Sequence, residues 1–305
     1  MPNRYYDFNT YLKQKFGGRV HKITVDAGFT CPNRDGAVSA GGCIYCNDKG
    51  SGTGFHAKGI SVTEQLERAK YYIIKRYKAT KFLAYFQAYT NTYAPLSKLK
   101  SIYDEALAVP DIVGLSVGTR PDCVSDAVLD LFGGYAQTHL VWMEYGLQSS
   151  HDRTLKLINR GHDCACFIDA TERSKRRGLS VCAHIILGLP GETRADMLAT
   201  ADLLAGLEID GVKLHLLYVI KDTPLAEMYR NGAYTCLTMH EYAETVGLFL
   251  ARLPKTTVIQ RLTADPHPAE LIAPDWALRK KEIRQAIDTF MFQENLTQGC
   301  RLPAE

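Results

Sequence analysis

Apolar, β-rich segments alternate with helical segments along the chain, and this alternation constrains the fold more than any other sequence feature. Six strands are predicted near residues 20–26, 82–88, 112–118, 139–146, 180–187 and 212–219. Helices are predicted between them at about residues 61–77, 96–108, 123–134, 163–177 and 193–206. Repeated strand–helix units indicate a parallel sheet, arranged either as an open (β/α)6 barrel or as a doubly wound sheet.

The polarity of alternate strand positions separates these two folds. In the sixth strand Val212 and Leu214 share one face, whereas Lys213 and His215 share the other. The fourth and fifth strands also carry polar residues on one face, at Glu144, Gln148 and His184. A sheet covered by helices on both sides would be apolar on both faces. We therefore expect an α/β fold, a partial (β/α)6 TIM-like barrel with a polar site at the carboxyl ends of its strands.

Beyond residue 220 the regular alternation ends. The sequence there predicts a helix, a short strand and a second helix, at about residues 239–252, 256–261 and 276–294. We interpret residues 1–220 as the core, with a cysteine-bearing loop at 27–50, and residues 221–305 as a C-terminal α/β extension packed on the barrel.

Three cysteines follow the first strand in the pattern C-x11-C-x2-C, at Cys31, Cys43 and Cys46. The sequence shows no apolar N-terminal signal and no run of about 18 apolar residues, so we expect a cytoplasmic protein without membrane association. In that compartment clustered cysteines hold metal more often than disulfides. Three thiolates can bind three irons of a [4Fe–4S] cluster and leave the fourth iron for a substrate or cofactor. The alternative is a zinc site in which His21 or His56 completes a Cys3His set.

The loop Cys31-Pro-Asn-Arg-Asp-Gly…Gly-Gly-Cys43-x-x-Cys46 resembles that of radical S-adenosylmethionine (SAM) enzymes, in the branch related to the radical SAM subunit of Elongator. Further segments are similar to the YhcC/YtqA group of bacterial proteins, at residues 85–92, 117–122, 144–149, 159–162 and 188–193. The resemblance implies a [4Fe–4S] cluster on the three cysteines and SAM, which is cleaved reductively to a 5′-deoxyadenosyl radical. It also implies a one-electron reductant such as flavodoxin or ferredoxin.

The same resemblance implies where SAM binds. Gln148 and Arg160 are spaced like a Gln–Arg pair that contacts SAM in enzymes of the oxygen-independent coproporphyrinogen oxidase type. Arginine suits the SAM carboxylate because its fork binds two oxygens at once. Gln87 and Tyr89, at the end of the second strand, and Gly188, after the fifth, are also expected to border the cofactor.

Other residues of the polar face have more than one interpretation. Glu144 contacts the cofactor or substrate, or it forms an ion pair with Arg120 or Lys213 inside the barrel. His184 and Lys213 are the candidate catalytic residues, although His184 also suits a ribose contact or an interior histidine. A buried lysine needs a partner, either Glu144 or an acidic substrate group. Cys182 is expected to face the same cavity.

Kinship with Elongator-type enzymes implies a tRNA substrate, most plausibly at the C5 side chain of a wobble uridine. The net charge of +3 is too small to hold RNA by the overall field, so binding would depend on local basic segments. Two such segments are Lys75, Arg76 and Lys78, and Arg279, Lys280, Lys281 and Arg284. The alternatives are hydrogen abstraction from a small metabolite or a protein, and a non-catalytic metal-binding regulator.

Overall fold

The computed structural model describes residues 3–47 and 55–302, so residues 48–50 of the predicted cysteine loop lie outside the described residues. Its main sheet has seven parallel strands that curl into half a barrel. In a doubly wound sheet the strand order reverses at a switch point. The seven strands instead follow one another in chain order, and the partial barrel is confirmed. The main sheet comprises β1 (Val20–Val25), β2 (Lys81–Phe86), β3 (Ile112–Thr119), β4 (Leu140–Gln148), β5 (Ser180–Leu187), β6 (Gly211–Leu216) and β8 (Val258–Arg261), and a small antiparallel sheet pairs β7 (Val219–Ile220) with β9 (Leu271–Ala273).

Helices connect the strands and cover the outside of the barrel. Side-chain oxygens begin several of them, as where Ser61 accepts a hydrogen bond from the Glu64 N–H and Thr193 accepts one from Asp196. These contacts satisfy N–H groups that the first turn leaves free. The helices are α1 (Phe8–Phe16), α2 (Val62–Tyr77), α3 (Leu96–Ala108), α4 (Asp126–Ala136), α5 (Asp152–Leu157), α6 (Cys164–Lys175), α7 (Arg194–Gly206), α8 (Pro224–Arg230), α9 (Met239–Leu250) and α10 (Lys280–Gln293). Among the described residues, none of them is both long and apolar enough to span a membrane.

The two faces of the strands differ as the sequence predicts. Met143 and Leu214 are buried in the large core between the sheet and its helices. Glu144 and Lys213, which alternate with them, are buried inside the barrel. The interior of the barrel is therefore polar where the predicted site lies.

The number of strands differs from the prediction, because the barrel contains a seventh strand from the C-terminal extension. The predicted strand at 256–261 is β8, which pairs in parallel with β6 at Gly211–Val258 and Val212–Ile259. The extension thus completes the sheet as well as packing on it. The boundary placed at residue 220 stays a prediction.

Helix α1, which was not predicted from the sequence, closes the amino-terminal end of the barrel. Its Leu12 is buried in the same apolar cluster as Trp142, and the rings of Phe8 and Tyr11 meet the Trp142 indole edge-on at 6.1 and 5.6 Å. Cys182 belongs to this apolar cluster and is completely buried. The expectation that Cys182 faces the site cavity is wrong, because its position on β5 lies too near the closed end.

Candidate active site

The cysteine loop leaves β1 and turns back over the carboxyl end of the barrel. Two tight turns shape it, since the Arg34 N–H donates to the Cys31 carbonyl and the Cys46 N–H donates to the Cys43 carbonyl, both at 2.9 Å. Gly42 has a φ of 82°, and a Cβ there would lie 2.8 Å from Nη1 of Arg34. Only glycine fits this left-handed, close-packed position without strain.

The segment after β4 fixes the cysteine loop from the other side. Asn159 Nδ2 donates to the Gly42 carbonyl at 2.8 Å, and Asn33 Nδ2 donates to the Asn159 carbonyl at 2.6 Å. The Ile44 N–H also donates to the Ile158 carbonyl at 3.1 Å. These three bonds position the cysteines relative to the ends of the strands.

Cys43 is buried in surroundings that favour a thiolate. Its Sγ accepts hydrogen bonds from Asn33 Nδ2 at 3.6 Å and from Arg160 Nη1 at 3.7 Å. A hydrogen bond from Cys46 and the Arg160 charge, opposed by burial, hold the pKa of Cys43 well below its usual range. The pKa of Cys46, which donates that hydrogen bond, is raised well above normal. A thiolate is the form in which cysteine binds metal.

The three cysteines open onto a cavity of about 590 Å³ at the carboxyl ends of the strands. Its volume lies in the usual range for small-molecule sites. Nine of the eleven predicted site residues line it: Cys31, Cys43, Cys46, Gln87, Tyr89, Glu144, Gln148, Arg160 and His184.

Arg160 lies at the centre of this site. Its Nε and Nη2 donate to the Gly146 carbonyl at 3.1 and 2.7 Å, while Nη1 donates to Cys43 Sγ. A guanidinium has five N–H groups. Three are used here, which leaves two for a ligand in the cavity. Arg160 can therefore support a Cys43 thiolate and contact a carboxylate at the same time.

Gly188 and Lys213 are the two predicted site residues that do not line the cavity. The Gly188 carbonyl accepts a hydrogen bond from the Tyr234 hydroxyl at 2.9 Å, and its α-carbon faces Leu237. The contact between Gly188 and SAM stays a prediction. Lys213 lies deeper in the barrel, where it meets Glu144.

Glu144 is completely buried and bonds two lysines and a histidine in the barrel interior. Its carboxylate accepts from Lys22 Nζ at 2.5 Å, from Lys213 Nζ at 3.0 Å and from His184 Nε2 at 2.7 Å. The alternative pairing of Glu144 with Lys213 is therefore present. The alternative pairing with Arg120 is wrong, because Arg120 Nη2 bonds Asp122 at 2.7 Å.

The charges of this cluster follow from burial and mutual attraction. Burial alone would raise the pKa of Glu144, but Lys213 and Lys22 hold it well below its usual range. Burial lowers the pKa of Lys213 to about 8 and that of His184 to about 4. At neutral pH His184 is therefore neutral, and Glu144 is ionised between two lysines.

Lys22 and Tyr85, which were not among the predicted site residues, belong to the same cluster. The Lys213 ammonium bonds the Tyr85 hydroxyl and lies 4.2 Å from its ring centroid. The signal was present, because Lys22 alternates with the outward Ile23 and Tyr85 with the outward Phe86. His215 and Arg261 also line the cavity.

The two basic segments lie at different ends of the barrel. Lys75 and Arg76 end α2, and the neighbouring Tyr77 stacks on His21 at 4.7 Å, near the start of β1. This segment therefore lies at the amino-terminal end of the barrel, away from the cavity mouth. Lys280, by contrast, pairs with Asp265, which lines the cavity, at 2.5 Å.

The donor set fits an iron–sulfur cluster, which takes cysteine sulfur as its ligand. Within residues 3–47 and 55–302, no three His, Cys, Asp or Glu side chains are grouped around one metal position. His21 of the Cys3His alternative stacks on Tyr77, away from the cysteines. The three cysteine sulfurs border one cavity, and a [4Fe–4S] cluster takes sulfur ligands of this kind, one on each of three irons.

Comparison with known proteins identifies the family. A model described as the radical SAM superfamily matches residues 31–204, and one described as the radical SAM C-terminal domain matches residues 209–293. The uncharacterised protein YtqA of Bacillus subtilis (strain 168) is 38% identical over 296 residues, or 97% of this chain and 92% of YtqA. YhcC of Escherichia coli (strain K12) is 40% identical over 296 residues, or 97% of this chain and 94% of YhcC.

More distantly related proteins align with part of the sequence or share its fold. A protein of Methanocaldococcus infernus named tRNA uridine(34) acetyltransferase is 28% identical over 191 residues, or 62% of this chain and 35% of that protein. The solved structure of Methanocaldococcus infernus Elp3 with an N-terminal deletion matches with a TM-score of 0.68 at 20% identity. The match covers 93% of this chain and 64% of that chain, and it shows a shared fold. Because one family model covers more than half of the chain and relatives near 40% identity cover almost all of it, the chain belongs to the radical SAM superfamily.

Proposed function

We propose that this protein is a radical SAM enzyme that modifies tRNA at the C5 side chain of a wobble uridine. The observation that carries the enzymatic part is the meeting of the three cysteine thiols with Arg160 and Gln148 on one cavity. With a [4Fe–4S] cluster and SAM bound, this site supplies a 5′-deoxyadenosyl radical for hydrogen abstraction, the chemistry that the cofactors carry.

The residues that line the cavity have separate roles in this proposal. Cys31, Cys43 and Cys46 would hold three irons of the cluster, and the fourth iron would be free to bind SAM. Arg160 directs its two remaining N–H groups to the SAM carboxylate, beside Gln148. The barrel wall encloses the reacting groups and excludes water.

The tRNA substrate is supported by relatives. The Methanocaldococcus infernus relative is named as acting on tRNA uridine 34, and 62% of this chain aligns with it. Lys280 and its exposed neighbour Lys281 lie beside the cavity mouth, where phosphates of a bound RNA would pass. The reductant in this proposal is a flavodoxin or a ferredoxin, and the reaction takes place in the cytoplasm.

Nucleoside mass spectrometry of tRNA from a deletion strain tests the substrate. We expect one C5-modified wobble uridine to be lost and its precursor to accumulate, with recovery by the wild-type gene but not by Cys43→Ala. Unchanged tRNA nucleosides, together with SAM cleavage by the purified protein, would shift the substrate to a metabolite or a protein.

A further inference from the structure

Next to the cysteine loop, buried Arg120 forms an ion pair with the partly exposed Asp122, and this pair has no role in the proposed reaction. Arg120 is 2% exposed, and its Nε and Nη2 donate to the two carboxylate oxygens of Asp122 at 2.9 and 2.7 Å. Its remaining nitrogen, Nη1, donates to the Arg160 carbonyl at 2.8 Å. All three guanidinium nitrogens of Arg120 are thus engaged, and one of them holds the backbone of the central site arginine.

The segment that carries Arg160 is confined between Arg120 and the cysteine loop. Gly161 has a φ of 77°, and a Cβ there would lie 2.6 Å from Asn33 Oδ1 and 3.2 Å from Arg120 Nη2. Asn33 also donates to Cys43 Sγ and to the Asn159 carbonyl. The backbone at residues 159–161 therefore cannot move without disturbing either the cysteine loop or Arg120.

We propose that Arg120 and Asp122 are positioning residues, which hold the Arg160 guanidinium against the Cys43 sulfur and thereby raise the reduction potential of the cluster. Hydrogen bonds to ligating sulfur and nearby positive charge stabilise the reduced, more negative cluster. Arg160 supplies both at Cys43. The Asp122 carboxylate orients Arg120, and Arg120 fixes the Arg160 backbone. This inference rests on the proposed function, because it requires the cluster on the three cysteines.

A redox titration of the reconstituted cluster in the full-length chain tests the proposal, with electron paramagnetic resonance as the measure of the reduced fraction. The variant Arg120→Gln/Asp122→Asn removes the bidentate pair without leaving a buried charge alone. We expect the ratio of reduced to oxidised cluster at a fixed potential to fall about tenfold, which for one electron equals ~59 mV. Asp122→Asn alone keeps one acceptor oxygen and should give a smaller shift in the same direction.

A double-mutant cycle separates positioning through Arg160 from a general loss of structure. In an Arg160→Met background the Arg120→Gln/Asp122→Asn changes should produce no further shift. Arg177→Gln/Asp130→Asn removes an ion pair on the outer surface, in which Arg177 Nε bonds one oxygen of Asp130 at 2.6 Å, and it should leave the potential unchanged.

The outcomes distinguish this inference from the proposed function. An unchanged potential in both Asp122→Asn and the double variant, or an equal shift in the Arg160→Met background, overturns the positioning role and leaves the cluster assignment standing. A wild-type protein that assembles no cluster overturns the proposed function itself. If the double variant fails to fold, the cluster potential of Asp122→Asn alone still shows whether the ion pair has a positioning role.

Discussion

At the residue scale, the protonation of His184 affects how the stability of the fold depends on pH. Its imidazole bonds the Glu144 carboxylate, yet burial and the nearby Lys213 charge lower its pKa from 6.5 to about 4. Between these two values the unfolded chain takes up a proton that the folded chain does not. His184 therefore weakens the fold as the pH falls from 6.5 to 4, by about 3 kcal/mol if the shift is fully expressed.

We predict that His184→Asn reduces this acid sensitivity. Asparagine keeps a donor for Glu144 but does not titrate. Urea unfolding of the two proteins at several pH values should show that the free energy of unfolding falls less steeply in the variant between pH 6.5 and 4. Equal slopes of unfolding free energy against pH in the two proteins would show that His184 does not destabilise the fold at low pH.

At the element scale, the end of β4 organises the SAM side of the site. A Cβ at Gly146 would lie 2.5 Å from both Arg160 Nη2 and Gln148 Nε2, which are the ends of long side chains. We predict that Gly146→Ala folds but displaces both groups, so that SAM affinity falls at least tenfold, on the order of the 1.5–3 kcal/mol of a charged hydrogen bond. Isothermal titration calorimetry on the reconstituted protein measures this.

Gly134→Ala is the matched control, because a Cβ at this position on α4 meets no atom within 4 Å. It should leave SAM affinity unchanged. Equal affinities for Gly146→Ala and wild type would remove Arg160 and Gln148 from the SAM site.

The strands could be predicted from the sequence because each contains a short apolar run, and in β4, β5 and β6 polar side chains also recur on one face. Helix α1 was missed although its signals exist, since Asp7 caps it and Leu12 faces the barrel. The place of β8 in the sheet has no local signal, because pairing with β6 joins distant parts of the chain. The cysteine ligands could be selected by spacing, whereas the Arg120–Arg160 contact depends on how two loops meet.

At the scale of the whole molecule, a tRNA substrate predicts that the two ends of the barrel contribute unequally to RNA binding. Only the end that carries the cavity should contact the RNA near the target base. Lys280→Gln/Lys281→Gln should therefore weaken tRNA binding and lower the slope of log affinity against log salt by about one to two units. Fluorescence anisotropy at several salt concentrations measures both quantities.

Lys75→Gln/Arg76→Gln removes the same charge from the opposite end of the barrel and serves as the control. It should change the affinity and the slope much less. Arg284 is left unaltered because its Nη2 bonds the Tyr5 hydroxyl at 2.9 Å. Equal effects of the two double variants would mean that RNA does not approach by the cavity mouth.

The central claim is that three cysteines hold a cluster that cleaves SAM. The most direct measurement is iron, sulfide and 5′-deoxyadenosine formation after anaerobic reconstitution, comparing wild type, Cys43→Ala and Cys164→Ala. Wild type and Cys164→Ala, whose altered residue lies on α6 outside the cavity, should hold about four irons and form 5′-deoxyadenosine under reductant. Cys43→Ala should do neither. Full cluster content and SAM cleavage in Cys43→Ala, or zinc in place of iron in the wild type, would contradict the account.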